Sequence, residues 1–137
     1  MIDGDLGDWG TWQPFTLSRD NAATIATQPT GSPPPSLADN SAELRAVWTA
    51  TDLYFGIHVR DDTIVNDSPQ VWKDDEIELA FVGAYDGLAS GGDSHQYTFN
   101  PDGRITDFGQ PNPPIQAAAI AVPGGWNVED VSYTHLR

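Results

Sequence analysis

Residues 44–60 read Leu44-Arg45-Ala46-Val47-Trp48-Thr49-Ala50-Thr51-Asp52-Leu53-Tyr54-Phe55-Gly56-Ile57-His58-Val59-Arg60. Leu44, Ala46 and Trp48 alternate with Arg45, Val47 and Thr49, a period of two that suits a strand with one face buried. Ala50-Thr51-Asp52 supplies a tight turn. Leu53, Phe55, Ile57 and Val59 then share one face, while Tyr54, Gly56, His58 and Arg60 share the other. The stretch predicts an antiparallel hairpin whose apolar faces, Trp48 included, belong to a core.

The same period recurs downstream. Ile77, Leu79 and Phe81 alternate with Glu76, Glu78 and Ala80, and Tyr97 and Phe99 alternate with Gln96 and Thr98. Asn100-Pro101-Asp102-Gly103 is a strong turn before Arg104-Ile105-Thr106. Ile115 to Val122 reads as another strand, turned by Pro123-Gly124-Gly125 toward Trp126, Val128 and Val131. Residues 29–36 contain three consecutive prolines and read as a loop. No stretch has a helical period. Many short strands at close spacing predict an all-β, antiparallel β-sandwich of jelly-roll or immunoglobulin-like type, with residues 1–137 as one domain.

The composition narrows the function. Six Lys+Arg face twenty Asp+Glu, a formal charge of −14. Such a chain cannot neutralise phosphates, which argues against nucleic acid, and the charge favours solubility. No run reaches the roughly 20 apolar residues of a membrane helix, so no membrane insertion is expected. The opening Met1-Ile2-Asp3-Gly4-Asp5 has no basic and apolar leader pattern, so the start reads as an artificial boundary or a mature end. The absence of Cys excludes disulfides and thiolate metal sites.

Five segments together resemble carbohydrate-binding module family 9, and more broadly the DOMON-like sandwiches. They are Ile2-Asp3-Gly4-Asp5-Leu6-Gly7-Asp8-Trp9, Leu53 to Asp61, Trp72-Lys73-Asp74-Asp75-Glu76-Ile77-Glu78, His95 to Asn100, and Gly125-Trp126-Asn127-Val128-Glu129. The resemblance implies a calcium-containing, extracellular or cell-surface β-sandwich that grips the ends of glucan or xylan chains between two tryptophans. Two departures stand out. The family's Arg in the ligand strand is replaced by Thr98. The family also continues past the Glu129 strand, where its second stacking Trp lies, whereas this sequence stops at Arg137. Truncation, strands supplied from elsewhere or a half-missing clamp each fit that pattern, and the sandwich is expected without its last strands.

Trp72 is the leading candidate for ligand contact, because it enters a strand from a polar loop and lies outside any apolar alternation. An indole stacks on the apolar C–H face of a sugar ring. Glu78, opposite in face to Ile77 and Leu79, can accept charge-assisted hydrogen bonds from hydroxyls. Gln96 and Thr98 lie on that same outward face if their strand is a neighbour. Asn100 and Arg104 flank it across the turn, and Arg104 is placed to replace the missing Arg. Trp48 and Trp126 read as core, Trp9 as packing the chain start onto the sandwich, and Trp12 is ambiguous.

Calcium requires several oxygen ligands. Three acidic clusters offer them: Asp3, Asp5 and Asp8; Asp61 and Asp62 with Asn66 and Asp67; and Asp74 with Asp75. Each also reads as turn residues of an acidic protein, and none forms an EF-hand loop. With the resemblance as support, a structural Ca²⁺ is expected near Asp61, Asp62 and Asp75. Catalysis is not expected, since Glu76 and Glu78 share one face of one strand instead of flanking a cleft. His58, His95 and His135 are isolated, and His58 reads as a surface group. The partners expected are a polysaccharide or oligosaccharide, further domains of a larger secreted protein, or copies of the chain itself. Two rivals remain: an adhesive domain assembling through strand edges, and a haem-binding electron-transfer domain. Met1 is the only Met and Lys73 the only Lys, which disfavours Met-ligated haem but leaves a bis-His site open.

Overall fold

A computed structural model describes residues 1–11, 13–18, 36–39, 41–82, 94–107 and 115–132. Trp12, His135 and most of the proline-rich stretch 29–36 lie outside them. Among the described residues eight strands are formed: β1 Phe15–Ser18, β2 Ser41–Trp48, β3 Leu53–Arg60, β4 Ile77–Val82, β5 Ser94–Phe99, β6 Ile105–Asp107, β7 Ile115–Val122 and β8 Gly125–Ser132. Two short 3-10 turns, Leu6–Trp9 and Val71–Lys73, are the only helical elements among the described residues. All pairings are antiparallel. A five-stranded sheet runs β1-β2-β3-β8-β7, and a three-stranded sheet runs β4-β5-β6.

The hairpin of residues 44–60 is the centre of the larger sheet. Register pairs Leu44 with Ile57, Ala46 with Phe55 and Trp48 with Leu53, so the apolar alternants of both strands share the inner face. Val59 pairs onward with Trp126, and Ile57 with Val128. From the smaller sheet, Ile77 pairs with Phe99 and Leu79 with Tyr97. These residues interleave between the sheets around Ile57, Phe99, Trp126 and Val128, all enclosed. Phe55, Phe81 and Tyr97 bridge the layers, with ring centroids 5.4 and 5.9 Å apart in succession. Tilted and edge-on rings at this spacing add to simple burial.

Trp48 departs from expectation. Its side chain lies on the inner face, yet it is 78% exposed. It sits at the last position of β2, where the strand runs into the Thr49–Asp52 turn. Alternation fixes which face a residue takes, not whether anything covers that face.

The outer face of the large sheet is sealed by the chain start. Glu129 Oε2 accepts hydrogen bonds from the amides of Asp3 (2.8 Å) and Gly4 (3.1 Å), and its Oε1 accepts one from Trp9 Nε1 (3.0 Å). Asn127 donates to the Gly4 carbonyl and contacts His58 Nδ1 at 2.8 Å, so His58 is part of this clamp. Gly56 is the floor on which the Trp9 ring lies; a Cβ there would be 3.0 Å from the ring. Gly125 is similarly constrained: at φ 152° an added Cβ would meet the Val59 carbonyl at 1.8 Å.

Candidate functional site

The outward face of the three-stranded sheet gathers the polar alternants. Register sets Glu78 against Thr98 and Ala80 against Gln96, and Thr98 against Thr106 on the far side. Gln96 reaches diagonally to Glu78, donating from Nε2 to Oε1 at 3.0 Å. Glu78 is exposed and Gln96 half-buried, while Thr98, in the middle strand, is enclosed with its hydroxyl unpartnered. Glu76 Oε2 is also buried and unpartnered. Burial first, then the charges of Glu78 and Asp74, push the Glu76 carboxyl up. The face is thus rich in acceptors and short of donors.

Trp72 stands at the end of this sheet, on the 3-10 turn that leads into β4. Its indole is 58% exposed. Leaving a Trp in water is costly, and what holds this one there is the anchoring of its turn. Asn100, fully buried at the end of β5, donates from Nδ2 to the carbonyls of Val71 (3.3 Å) and Asp75 (2.9 Å), one on each side of Trp72. Arg104 donates to the Ser68 carbonyl (3.1 Å), Asp74 Oδ2 (2.8 Å), Asp102 Oδ2 (2.7 Å) and Asn66 Oδ1. Asp74 in turn accepts from the Asp67 and Ser68 amides.

Charge follows this geometry. Against the burial that would raise it, the Arg104 guanidinium and the Ser68 and Asp67 amides hold the Asp74 carboxyl below its ordinary range. Burial likewise opposes the lowering of Asp102, and is outweighed by Asn66 and Arg104. The hydrogen bond to Asp74, above all, raises the guanidinium of Arg104 further. Of the six ligand candidates, Glu78, Gln96 and Thr98 are therefore adjacent on one face, Trp72 stands at its end, and Asn100 and Arg104 are occupied in fixing the Trp72 turn.

The acidic residues assemble around the end of β3. Asp39, Asp61 and Asp62 offer carboxylate oxygens that all lie within 4.8 Å of one another. No local sequence pattern joins Asp39 to this group, because 22 positions separate it from Asp61. The register explains its arrival: Ser41 pairs with Arg60, so the residues just before β2 meet those just after β3. Asp75 joins from the Trp72 turn. Its carboxylate accepts from the Val65 amide and neighbours Asp61, whose own Oδ1 accepts from the Thr63 amide at 2.9 Å. Burial first, with Asp75 and Asp62 adding to it, raises the Asp61 carboxyl against the pull of the Thr63 amide. Burial and then Asp62 raise Asp39. Carboxylates crowded in this way, with no basic partner among the described residues, suit a divalent cation. Asp3 and Asp5 serve elsewhere, capping turns at the chain start.

A family model described as carbohydrate family 9 binding domain-like matches residues 2–131. Two solved structures share the fold, both of a carbohydrate binding module family 9 from Caldicellulosiruptor kristjanssonii. The one in complex with cellotriose has a TM-score of 0.73, and the one in complex with glucose 0.72, each at 16% sequence identity. The alignments cover 98% of this chain but 63% and 64% of theirs, so the chain spans less than two thirds of their length. No curated protein matches the sequence.

Proposed function

The chain belongs to the carbohydrate family 9 binding domain-like family, and from that premise we propose that it is a non-catalytic, extracellular module that binds glucan or xylan oligosaccharides. The observation that carries the reading is the exposed Trp72 indole, held on an anchored turn that leads into the strand carrying Glu78. The indole takes the C–H face of a sugar ring. Glu78, with Glu76 and Thr98 behind it, takes hydroxyl hydrogens that a glycan supplies in excess. Asn100 and Arg104 act as positioning residues for the turn. Because the platform is fixed before the ligand arrives, little conformational entropy is lost on binding.

Calcium belongs to the same proposal. Asp39, Asp61 and Asp62 would hold the ion, with Asp75 beside them. Bound there, the cation would neutralise the crowded carboxylates and brace the turn that carries Trp72. The test is isothermal titration with glucose, cellobiose and xylobiose, with calcium and again after chelation, on the wild type and on Trp72→Ala. Binding in the wild type that falls at least about tenfold in the variant supports the platform. Absence of heat with every sugar in calcium removes the sugar reading. Identical binding with and without calcium removes the ion from it.

A further inference from the structure

The outward face of the smaller sheet is unbalanced in its hydrogen bonding, and the imbalance is concentrated next to the Trp72 turn. Register sets Glu78 opposite Thr98. One step beyond the last pair, Ile77 with Phe99, Glu76 comes opposite Asn100. These four residues take adjacent positions on one face, within or at the end of β4 and β5. Asn100 also ties the patch to the turn, because its Nδ2 bonds the carbonyls of Val71 and Asp75 on either side of Trp72.

Three oxygens of this patch are enclosed without a hydrogen-bond partner: Glu76 Oε2, Thr98 Oγ1 and Asn100 Oδ1. Thr98 is 1% exposed and Asn100 0%, so bulk water does not serve them, and buried polar atoms left in this state are costly. The nearby donors are committed. Gln96 Nε2 goes to Glu78 Oε1. The Arg104 guanidinium goes to Asp102, Ser68, Asn66 and Asp74. Burial and then the negative charges of Glu78 and Asp74 push the Glu76 carboxyl up, and the exposed Lys73 is not among the charges acting on it.

We propose that this patch selects sugars bearing a free ammonium group, such as β-1,4-linked glucosamine, over neutral glucan or xylan. The inference rests on the sugar-platform reading of Trp72 and refines its ligand. A hydroxyl brings one donor and two lone pairs, which adds acceptors to a face already rich in them. An ammonium has three donors and no acceptor, and its bonds to carboxylates are charge-assisted. Unlike a free metal ion, it arrives on a ring that can stack on an indole, so one ligand accounts for both the patch and the exposed Trp72. Exposed Glu78 takes the ammonium directly. Glu76, half-buried behind it, adds its charge through surroundings that screen less than water. The charge of −14 draws a cationic sugar toward the whole protein, and the patch decides where it stays.

Isothermal titration of the full chain, at fixed calcium, compares the β-1,4-linked glucosamine dimer with cellobiose and with the N-acetylated dimer, which has the same backbone and no charge. The expected result is binding of the glucosamine dimer at least about tenfold tighter than either neutral sugar. The preference persists at about 0.5 M NaCl, where long-range attraction is screened. Glu78→Gln and Glu76→Gln each bring the ratio of affinities toward one. Asp8→Asn, which removes the same charge from the exposed chain start across the sandwich, leaves it unchanged. Equal affinity for the glucosamine dimer and cellobiose overturns this inference and leaves the Trp72 platform standing. A preference that salt erases, or that Asp8→Asn lowers as much as Glu78→Gln, reflects net charge alone and overturns it too. Failure of every sugar to bind removes the platform, and the inference with it.

Discussion

Glu129 and Asp130 are neighbours in β8, equally hidden from water, and they face opposite sides of the same sheet. Glu129 lies under the chain start and accepts three hydrogen bonds. Asp130 lies on the inner face between Phe55 and Ala117, and neither of its oxygens has a partner of good geometry. Burial pushes its carboxyl up to about 7, with only the adjacent Val131 amide working against the shift. The pair teaches that burial sets the stakes and partners decide the sign. One acid fastens the sheet to the chain start; the other weakens the sheet whenever it ionises.

The largest expected effect comes from Asp130. Its folded value of about 7 lies above the ordinary 3.8. Between those values the unfolded chain has lost the proton and the folded chain has kept it. Stability therefore falls as pH rises from about 4 to about 7 and stays low above that. The span corresponds to roughly 4 kcal/mol for this group. Urea unfolding of Asp130→Val should show a gain of that order over wild type at pH 8 that shrinks by several kcal/mol toward pH 4. An equal difference at both pH values would mean that the carboxylate has a partner after all.

Glu129→Gln sharpens the other side of the comparison. It keeps the size but replaces one charged acceptor with a donor, facing two amides and an indole N–H. A loss of about 2–3 kcal/mol is expected, together with faster hydrogen exchange at the Asp3 and Gly4 amides. Unchanged exchange there would break the clamp argument. The smallest effect on global stability belongs to Arg104→Ala, whose bonds serve one loop. Exchange at the Asp67 and Ser68 amides should quicken by about tenfold or more while the thermal midpoint scarcely moves.

Much of this fold was legible because sandwiches write themselves in alternation. Leu44 to Val59 placed two central strands, and Ile115 to Val122 placed β7 to the residue. β1 carries no such signal, since Phe15-Thr16-Leu17-Ser18 is too short to establish a period. Alternation puts Trp48 on the core side yet leaves it exposed, because a period encodes direction while coverage depends on what packs against that face. Asp130 was invisible for a related reason: it occupies an inward position after Trp126 and Val128, where the pattern asks for an apolar residue. At the candidate site, Glu78, Gln96 and Thr98 could be put on one face from parity alone. Asn100 and Arg104 could be placed near it, but not their partners in the Trp72 segment, which lie 25 to 38 positions away. Asp39 needed the β2–β3 register, which no local pattern contains.

The anchoring of the Trp72 turn has a consequence for how such a surface can change over generations or in the laboratory. Asn100 grips the carbonyls of Val71 and Asp75, and Arg104 grips that of Ser68. Main-chain oxygens are the same whatever residue bears them. Apart from Asn66, Ser68, Asp74 and Asp75, whose side chains also bind within it, the segment is held through its main chain, so the side chains of Pro69, Gln70, Trp72 and Lys73 can be exchanged while the mounting stays in place. The turn is a socket, and its contents can be redrawn without rebuilding the sheets beneath it.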